Sequence, residues 1–199
     1  MGKLRGFEVV SKFKDNEYVQ IPKRGTEDSA GYDFVTIEDV VIPSIMENAL
    51  LLSQELESLI NRVYSEGVPK DTTEDKVIGE LVEAIDKEQV KATLVKTGIK
   101  AYMQKGEVLK LYIRSSMAAK RGLALANQTG IVDKDYFNNE DNEGHIMIPL
   151  INLSALPVFI PAGTRISQGI FETYLVADQD DAQGVREGGF GSTGESSVS

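Results

Sequence analysis

The sequence predicts a mainly β fold of sandwich or barrel type, interrupted by a helical insert and followed by a flexible arm. Three observations carry this reading. Short β-branched and aromatic runs, separated by Gly, Pro and Asn turns, fill residues 1–43 and 91–176. Many short strands at close spacing favour a sandwich or barrel-like all-β domain over a parallel sheet. The hydrophobic period changes to a helical one at Ser44 and returns to the strand period near Ala92, so 44–90 reads as an insertion. Residues 177–199 are polar, then rich in Gly and Ser, which is the composition of a flexible C-terminal arm.

The elements follow in order. Phe7 to Val10 and then Val35, Ile37, Val40 and Ile42 are β-branched or aromatic positions suited to a half-buried pleated surface. Pro22 to Asp33 reads as a loop feeding a strand. Ser44 with Glu47 forms a capping box, and Ile45, Ala49, Leu52, Leu56, Leu59, Ile60 and Val63 recur at helical spacing. Gly67 and Pro69 stop that helix. A second helix starts near Thr72 or Thr73 and buries Val77, Ile78, Leu81, Val82 and Ile85. Such stripes usually pack on each other or on the host domain, and less often on a protein partner. From Thr93 the strand pattern resumes through Ile99–Met103, Val108–Ile113, Leu123–Ala126, Ile146–Leu153, Val158–Ile160 and Ile166–Val176.

Length and charge exclude several classes. At 199 residues the chain holds one domain with a sizeable core plus a small insertion. No stretch reaches the roughly 18 apolar residues of a membrane span, and the N-terminus lacks the apolar core of a signal peptide. A soluble protein of the cytoplasm is expected, without membrane contact. The absence of cysteine excludes disulfides and thiolate metal sites. The net charge of −10 argues against a nucleic-acid binder. Between Ser44 and Val90 eleven acids face four bases, so most of the negative charge sits in the insert. Arg114, Lys120, Arg121, Arg165 and Arg186 lie outside it and leave room for a local anion site.

The chemistry-bearing stretch is Gly130-Ile131-Val132-Asp133-Lys134-Asp135-Tyr136. As an extended strand it would put Asp133 and Asp135 on one face and Lys134 on the other. The chain then turns through polar residues and returns at His145-Ile146-Met147, a hairpin with a long polar tip. Standing alone, this is a pair of solvent-facing acids beside a turn. His145, the single histidine, reads as a surface or hairpin residue, since one histidine cannot build a metal site. The glycines from Gly188 to Gly194 could wrap a phosphate with backbone N–H groups. No helix follows them, so they are not a Walker loop.

Five separated segments, in order, resemble the homotrimeric dUTPases, which hydrolyse dUTP to dUMP and pyrophosphate. They are Ala30-Gly31-Tyr32-Asp33-Phe34, Arg114-Ser115-Ser116-Met117-Ala118-Ala119-Lys120, Gly130 to Tyr136, Gly163-Thr164-Arg165-Ile166-Ser167-Gln168, and Gly189-Phe190-Gly191-Ser192-Thr193-Gly194. The resemblance implies a jelly-roll subunit in a trimer, with active sites shared among subunits and closed by the arm. It implies Asp133 as general base for the water that attacks the α-phosphorus; a fixed carboxylate supplies basicity that water lacks at neutral pH.

Further roles come from the same resemblance. Tyr136 would lie against the deoxyribose and exclude a 2′-hydroxyl, while Asn127 and the main chain near Ile131, Val132 and Met147 would read uracil. Phe190 would stack on the base from the arm. Arg114, Ser115, Ser116 and Gln168 would hold the triphosphate, joined by Arg186, Gly191, Ser192 and Thr193. Mg2+ would ride on the phosphates, with Asp33 touching it through water. Three features depart from the family pattern: Arg186-Glu187-Gly188-Gly189-Phe190 is one residue shorter than Arg-Gly-x-Gly-Gly-Phe, the tip after Tyr136 is longer, and the insert has no counterpart in the minimal pattern. A dCTP deaminase shares the fold and an Arg-Ser-Ser segment. Some phage-borne relatives act on partner proteins through inserted segments, which makes the insert the place for a protein partner here.

Overall fold

The computed structural model of the protein describes residues 2–47, 50, 53–54, 57–58, 61, 92–182 and 184. The second expected helix, most of the first, and the arm residues Arg186, Phe190, Gly191, Ser192 and Thr193 lie outside the described residues. Twelve strands are described: β1 (Gly6–Val9), β2 (Lys23–Arg24), β3 (Tyr32–Val35), β4 (Val40–Ile42), β5 (Thr93–Lys96), β6 (Ile99–Tyr102), β7 (Glu107–Ile113), β8 (Leu123–Leu125), β9 (Gly130–Val132), β10 (Met147–Asn152), β11 (Val158–Ile160) and β12 (Arg165–Thr173). One short helix, α1 (Ser115–Arg121), follows β7. The mainly β class read from the sequence is the class observed.

The strands form four antiparallel sheets, ordered β2-β3-β12-β7-β9, β5-β10-β8, β1-β6 and β11-β4. Their inner faces share one core. Phe34, Leu109, Ile148, Leu150, Ile160 and Ile166 come from β3, β7, β10, β11 and β12 and are wholly buried, with Ile99 of β6 beside them. Burying each such side chain contributes about 1.5–3 kcal/mol. In β7 the alternation is explicit. Leu109 and Leu111 turn inward, while Lys110 and Tyr112 turn outward and both reach Glu172 of β12, Lys110 Nζ at 2.7 Å and Tyr112 OH at 3.3 Å.

The expected loop from Pro22 to Asp33 contains a two-residue strand, since Lys23 lies opposite Asp33 and Arg24 opposite Tyr32. Arg24 Nη1 donates to Glu27 O at 2.5 Å and Ser29 O at 3.1 Å, which folds the loop onto itself. At the start of the insert Ser44 is fully buried, accepts the Met46 N–H at 3.0 Å and donates to Ser154 O at 2.7 Å. Ser44 therefore caps the helix, through the amide two residues on rather than the Glu47 amide of a capping box, and ties it to the β domain. Along that helix Ser53, Gln54, Glu57, Ser58 and Asn61 are exposed, which is the polar face the spacing requires.

Candidate functional site

Three of the five motif segments meet at one corner of the five-stranded sheet. Asp33 of β3 lies opposite Gln168 of β12, which lies opposite Tyr112 of β7, so these side chains share one face. Arg114 is two positions beyond Tyr112 on that face, at the extended residue that caps α1. Its Nε meets Asp33 Oδ1 at 3.0 Å. Arg165 arrives by a different route. A bulge between Arg165 and Ser167 inserts Ile166, placing Arg165 opposite Val35 and hence on the face of Asp33. Arg165 Nη1 then meets Asp33 Oδ2 at 3.1 Å.

Two guanidiniums on one carboxylate leave a net positive corner, in a chain whose overall charge is strongly negative. Gly31 leaves room beside it for Gln168. A Cβ there would come within 2.7 Å of Gln168 Oε1 and 3.1 Å of Gln168 Cβ, displacing that side chain. Ser115 and Ser116 open α1. Met117 and Ala118 close their amides on Arg114 O, at 2.9 and 3.1 Å, so the first-turn amides stand beside the arginine. Gly122 ends the helix in the left-handed region at φ 65°, its N–H bonding to Ala118 O and Met117 O.

The stretch containing Asp133 is built differently from the sequence expectation. The strand stops at Val132, Asp133 is extended, and Lys134–Tyr136 form a single 3-10 turn. Period-two alternation therefore ends before the acids, and Asp133 and Asp135 do not share a strand face. The turn closes with the Tyr136 N–H donating to Asp133 O at 3.2 Å, which brings positions 133 and 136 together instead. Nor is 127–147 a hairpin. β9 pairs with β7, whereas β10 pairs with β5 and β8, so the chain leaves one sheet and enters another.

Tyr136 is 5% exposed, and its hydroxyl donates to His145 O at 2.9 Å. His145 is not a surface residue. It is 2% exposed, its ring lies 4.9 Å from that of Phe13, and its Nε2 accepts the Gly98 N–H at 3.0 Å. That hydrogen bond requires a neutral ring. Burial, followed by the charges of Lys12 and Lys96, lowers the His145 pKa to about 4.

Asn127 begins the turn between β8 and β9, and the Ala126 N–H donating to Pro149 O at 2.9 Å carries the β8–β10 pairing towards Met147. Asn127 and Met147 thus stand at one end of the three-stranded sheet. Val132 is buried, whereas Ile131 is exposed on the outermost strand of its sheet.

The two halves of the expected site lie apart within the chain. Leu109 lies opposite Val132, so Asp133 sits level with Val108, while Arg114 follows the far end of β7. Six residues of extended chain separate those levels, roughly 20 Å. A single chain therefore does not bring Asp133 to the arginine corner. The role of Arg165 beside Asp33 escaped the sequence reading because it depends on a bulge. Asn139 and Asn142, which surround Tyr136, were read only as turn residues. Among the described residues no three His, Asp or Glu side chains converge to hold a metal ion. No described helix is long and apolar enough to cross a membrane.

Comparison with known proteins agrees with this architecture. The dUTPase family profile matches residues 83–194. The deoxyuridine 5'-triphosphate nucleotidohydrolase of Lactococcus lactis subsp. lactis is 41% identical over 194 residues, covering 96% of this chain and 99% of that protein. The crystal structure of a dUTPase from Streptococcus mutans aligns with a TM-score of 0.60 at 33% identity, covering 87% of this chain and 98% of that one. A dUTPase from phage phi11 of S. aureus, solved with its species-specific insert, shares the fold at 16% identity and a TM-score of 0.54, covering 92% and 97%. The chain belongs to the dUTPase family.

Proposed function

We propose that this protein hydrolyses dUTP to dUMP and pyrophosphate in a homotrimer whose active sites draw Asp133 from one subunit and the Asp33 corner from another. The observation that carries the shared site is the separation of roughly 20 Å between those groups along β7. A second copy of the chain supplies what one copy holds out of reach, and closed symmetry then gives every subunit the same role.

At the corner, Arg114 with the amides of Ser115 and Ser116 and the Gln168 side chain would hold the triphosphate. Fixed cations and N–H donors are what charge spread over phosphoryl oxygens requires. Arg114 gives up none of its planar geometry in exchanging part of its contact with Asp33 for a phosphate oxygen. Mg2+ fits in an outer role. Asp33 is already engaged by two arginines, so it suits a hydrogen bond to metal-bound water better than direct ligation. Bound to the triphosphate, the ion would offset negative charge on the phosphoryl oxygens.

At the other part of the site, Asp133 would accept a proton from water as its oxygen attacks the α-phosphorus. Its neighbour in the 3-10 turn, Tyr136, would close the space where a ribose 2′-hydroxyl would fall. The outer strand β9 presents backbone N–H and C=O groups along its outer side, which suits reading uracil by Ile131 with Asn127 and Met147. Phe190, Arg186, Gly191, Ser192 and Thr193 would complete closure from the arm. Pyrophosphate release from dUTP, dTTP, dCTP and UTP, with and without Mg2+, tests this assignment. Release confined to dUTP and stimulated by Mg2+ is expected, whereas ammonia formed from dCTP would replace it with a deaminase.

A further inference from the structure

Between Tyr136 and His145 the chain makes a loop with its own buried hydrogen-bond network. Asn142 is its hub. Its Oδ1 accepts from the Gly144 N–H at 2.9 Å, the His145 N–H at 3.2 Å and Asn139 Nδ2 at 3.0 Å. Three donors on one atom fix which end of the amide is oxygen, and so the nitrogen is the end that faces Tyr136. Asn142 Nδ2 donates to Tyr136 OH at 3.0 Å, and Asn139 Nδ2 also donates to Tyr136 O at 2.9 Å. The phenol is therefore held twice at its far end, donating to His145 O and accepting from Asn142.

The loop is tied down at its outer end as well. Asn138 and Glu143 both take left-handed backbone angles, φ 58° and 60°, which cost non-glycine residues energy and persist only where the surroundings enforce them. Here the side chains of both accept hydrogen bonds from the buried Lys100, whose Nζ lies 2.6 Å from Asn138 Oδ1 and 3.1 Å from Glu143 Oε2. Glu143 also accepts from the N–H and hydroxyl of Ser11, at 3.2 and 2.9 Å. Gly144, at φ +78°, leaves no space for a side chain, because a Cβ would sit 2.5 Å from Tyr136 O.

We propose that Asn142 is a positioning residue that fixes the Tyr136 ring and so sets the preference for deoxyribose over ribose. The proposal rests on the reading of Tyr136 as the wall against a 2′-hydroxyl. A wall excludes one extra oxygen only if it does not recoil, and a shift of about 1 Å at a reacting or recognising group changes rates by one to two orders of magnitude. A ring held only at Cβ pivots about its first torsion. A ring held also at its hydroxyl does not.

The test compares kcat/KM for dUTP with that for UTP in Asn142→Asp, Tyr136→Phe, the double variant and Tyr136→Ala. Asn142→Asp keeps the acceptor used by Gly144, His145 and Asn139 but replaces the donor to Tyr136 with a charged acceptor, so Asn142→Ala, which removes the side chain's contact with the phenol outright, is measured beside it. The expected result is a fall of about tenfold in the dUTP:UTP ratio for the Asn142 variants and a fall at least as large for Tyr136→Phe, which also loses the bond to His145 O, with the double variant falling no further than Tyr136→Phe. A general packing defect would lower both substrates in parallel and leave the ratio unchanged. An unchanged ratio in Asn142→Asp, or falls that add in the double variant, overturns the positioning role while Tyr136→Ala still loses discrimination. If Tyr136→Ala keeps the wild-type ratio, the wall itself is lost, and the proposal with it. Should Asn142→Asp fail to fold, Asn142→Ala decides in its place, since Tyr136→Phe removes the bond to His145 O as well as the one to Asn142.

Discussion

At the Asp33 corner side chains are held by charge at the edge of solvent: Arg114 and Arg165 close on one carboxylate, with Asp33 and Arg114 part-buried and the Arg165 side chain 56% exposed. Around Tyr136 they are held by neutral hydrogen bonds in the interior, with Asn139, His145 and the ring itself all less than a tenth exposed. Exposed ion pairs contribute little to stability and are screened by salt, but they rearrange readily when a polyanion arrives. Buried neutral networks are costly to break and hold one geometry. The corner is suited to exchanging partners, and the Tyr136 region, the limb of the proposed site that also carries Asp133, is suited to refusing to move.

The largest effect is expected from Asp133→Asn, which removes the proton acceptor without altering size. A fall in kcat of about 10²- to 10⁴-fold is expected while a non-hydrolysable dUTP analogue still binds, as followed by pyrophosphate release and calorimetry. Normal turnover would take the base out of the limb and undo the division of labour. Mixing sharpens that division. Co-refolded Asp133→Asn and Arg114→Ala chains should regain about a quarter of wild-type activity, because random association gives one site in four both intact groups. No recovery would mean that corner and limb serve within one subunit.

A further contrast lies in pH. Unfolded His145 titrates near 6.5 and folded His145 at about 4, so the unfolded chain carries the extra proton between those values. Stability is complete above about pH 6.5 and declines as pH falls through that window, by about 2–3 kcal/mol between pH 7.5 and pH 4.5. Urea unfolding at the two pH values measures it, and His145→Gln should flatten the slope. The smallest effect is at the corner. Asp33→Asn should lower kcat/KM about tenfold through lost orientation of two arginines, yet lower the unfolding free energy by less than about 1 kcal/mol. A larger loss of stability would make the corner structural and erase the contrast with the limb.

The strands were largely legible because β-branched residues alternate along them; Val108–Ile113 and Val158–Ile160 were read within a residue or two of their observed bounds. The motif segments were legible as residue types in order. Four readings failed for a common reason. The end of β9 at Val132, the separation of β9 from β10, the burial of His145 and the placement of Arg165 all depend on pairing between distant strands. Local pattern carries no record of that pairing. The Asn-rich tip reads as solvent-facing turn chemistry, which is the usual role of asparagine, and only its contacts make the buried Asn139 and the half-buried Asn142 partners of a tyrosine.

From the chain alone came the β class, the insert's beginning at a buried serine cap, and the identity of the groups available for chemistry, because side-chain type and period are local properties. Which of those groups meet was decided in three dimensions. A one-residue bulge turns Arg165 onto Asp33, and the register of β7 with β9 holds Asp133 at the other end of the sheet. Register is settled by hydrogen bonds and packing between strands far apart in sequence, and a slip of one residue would send every side chain to the opposite face.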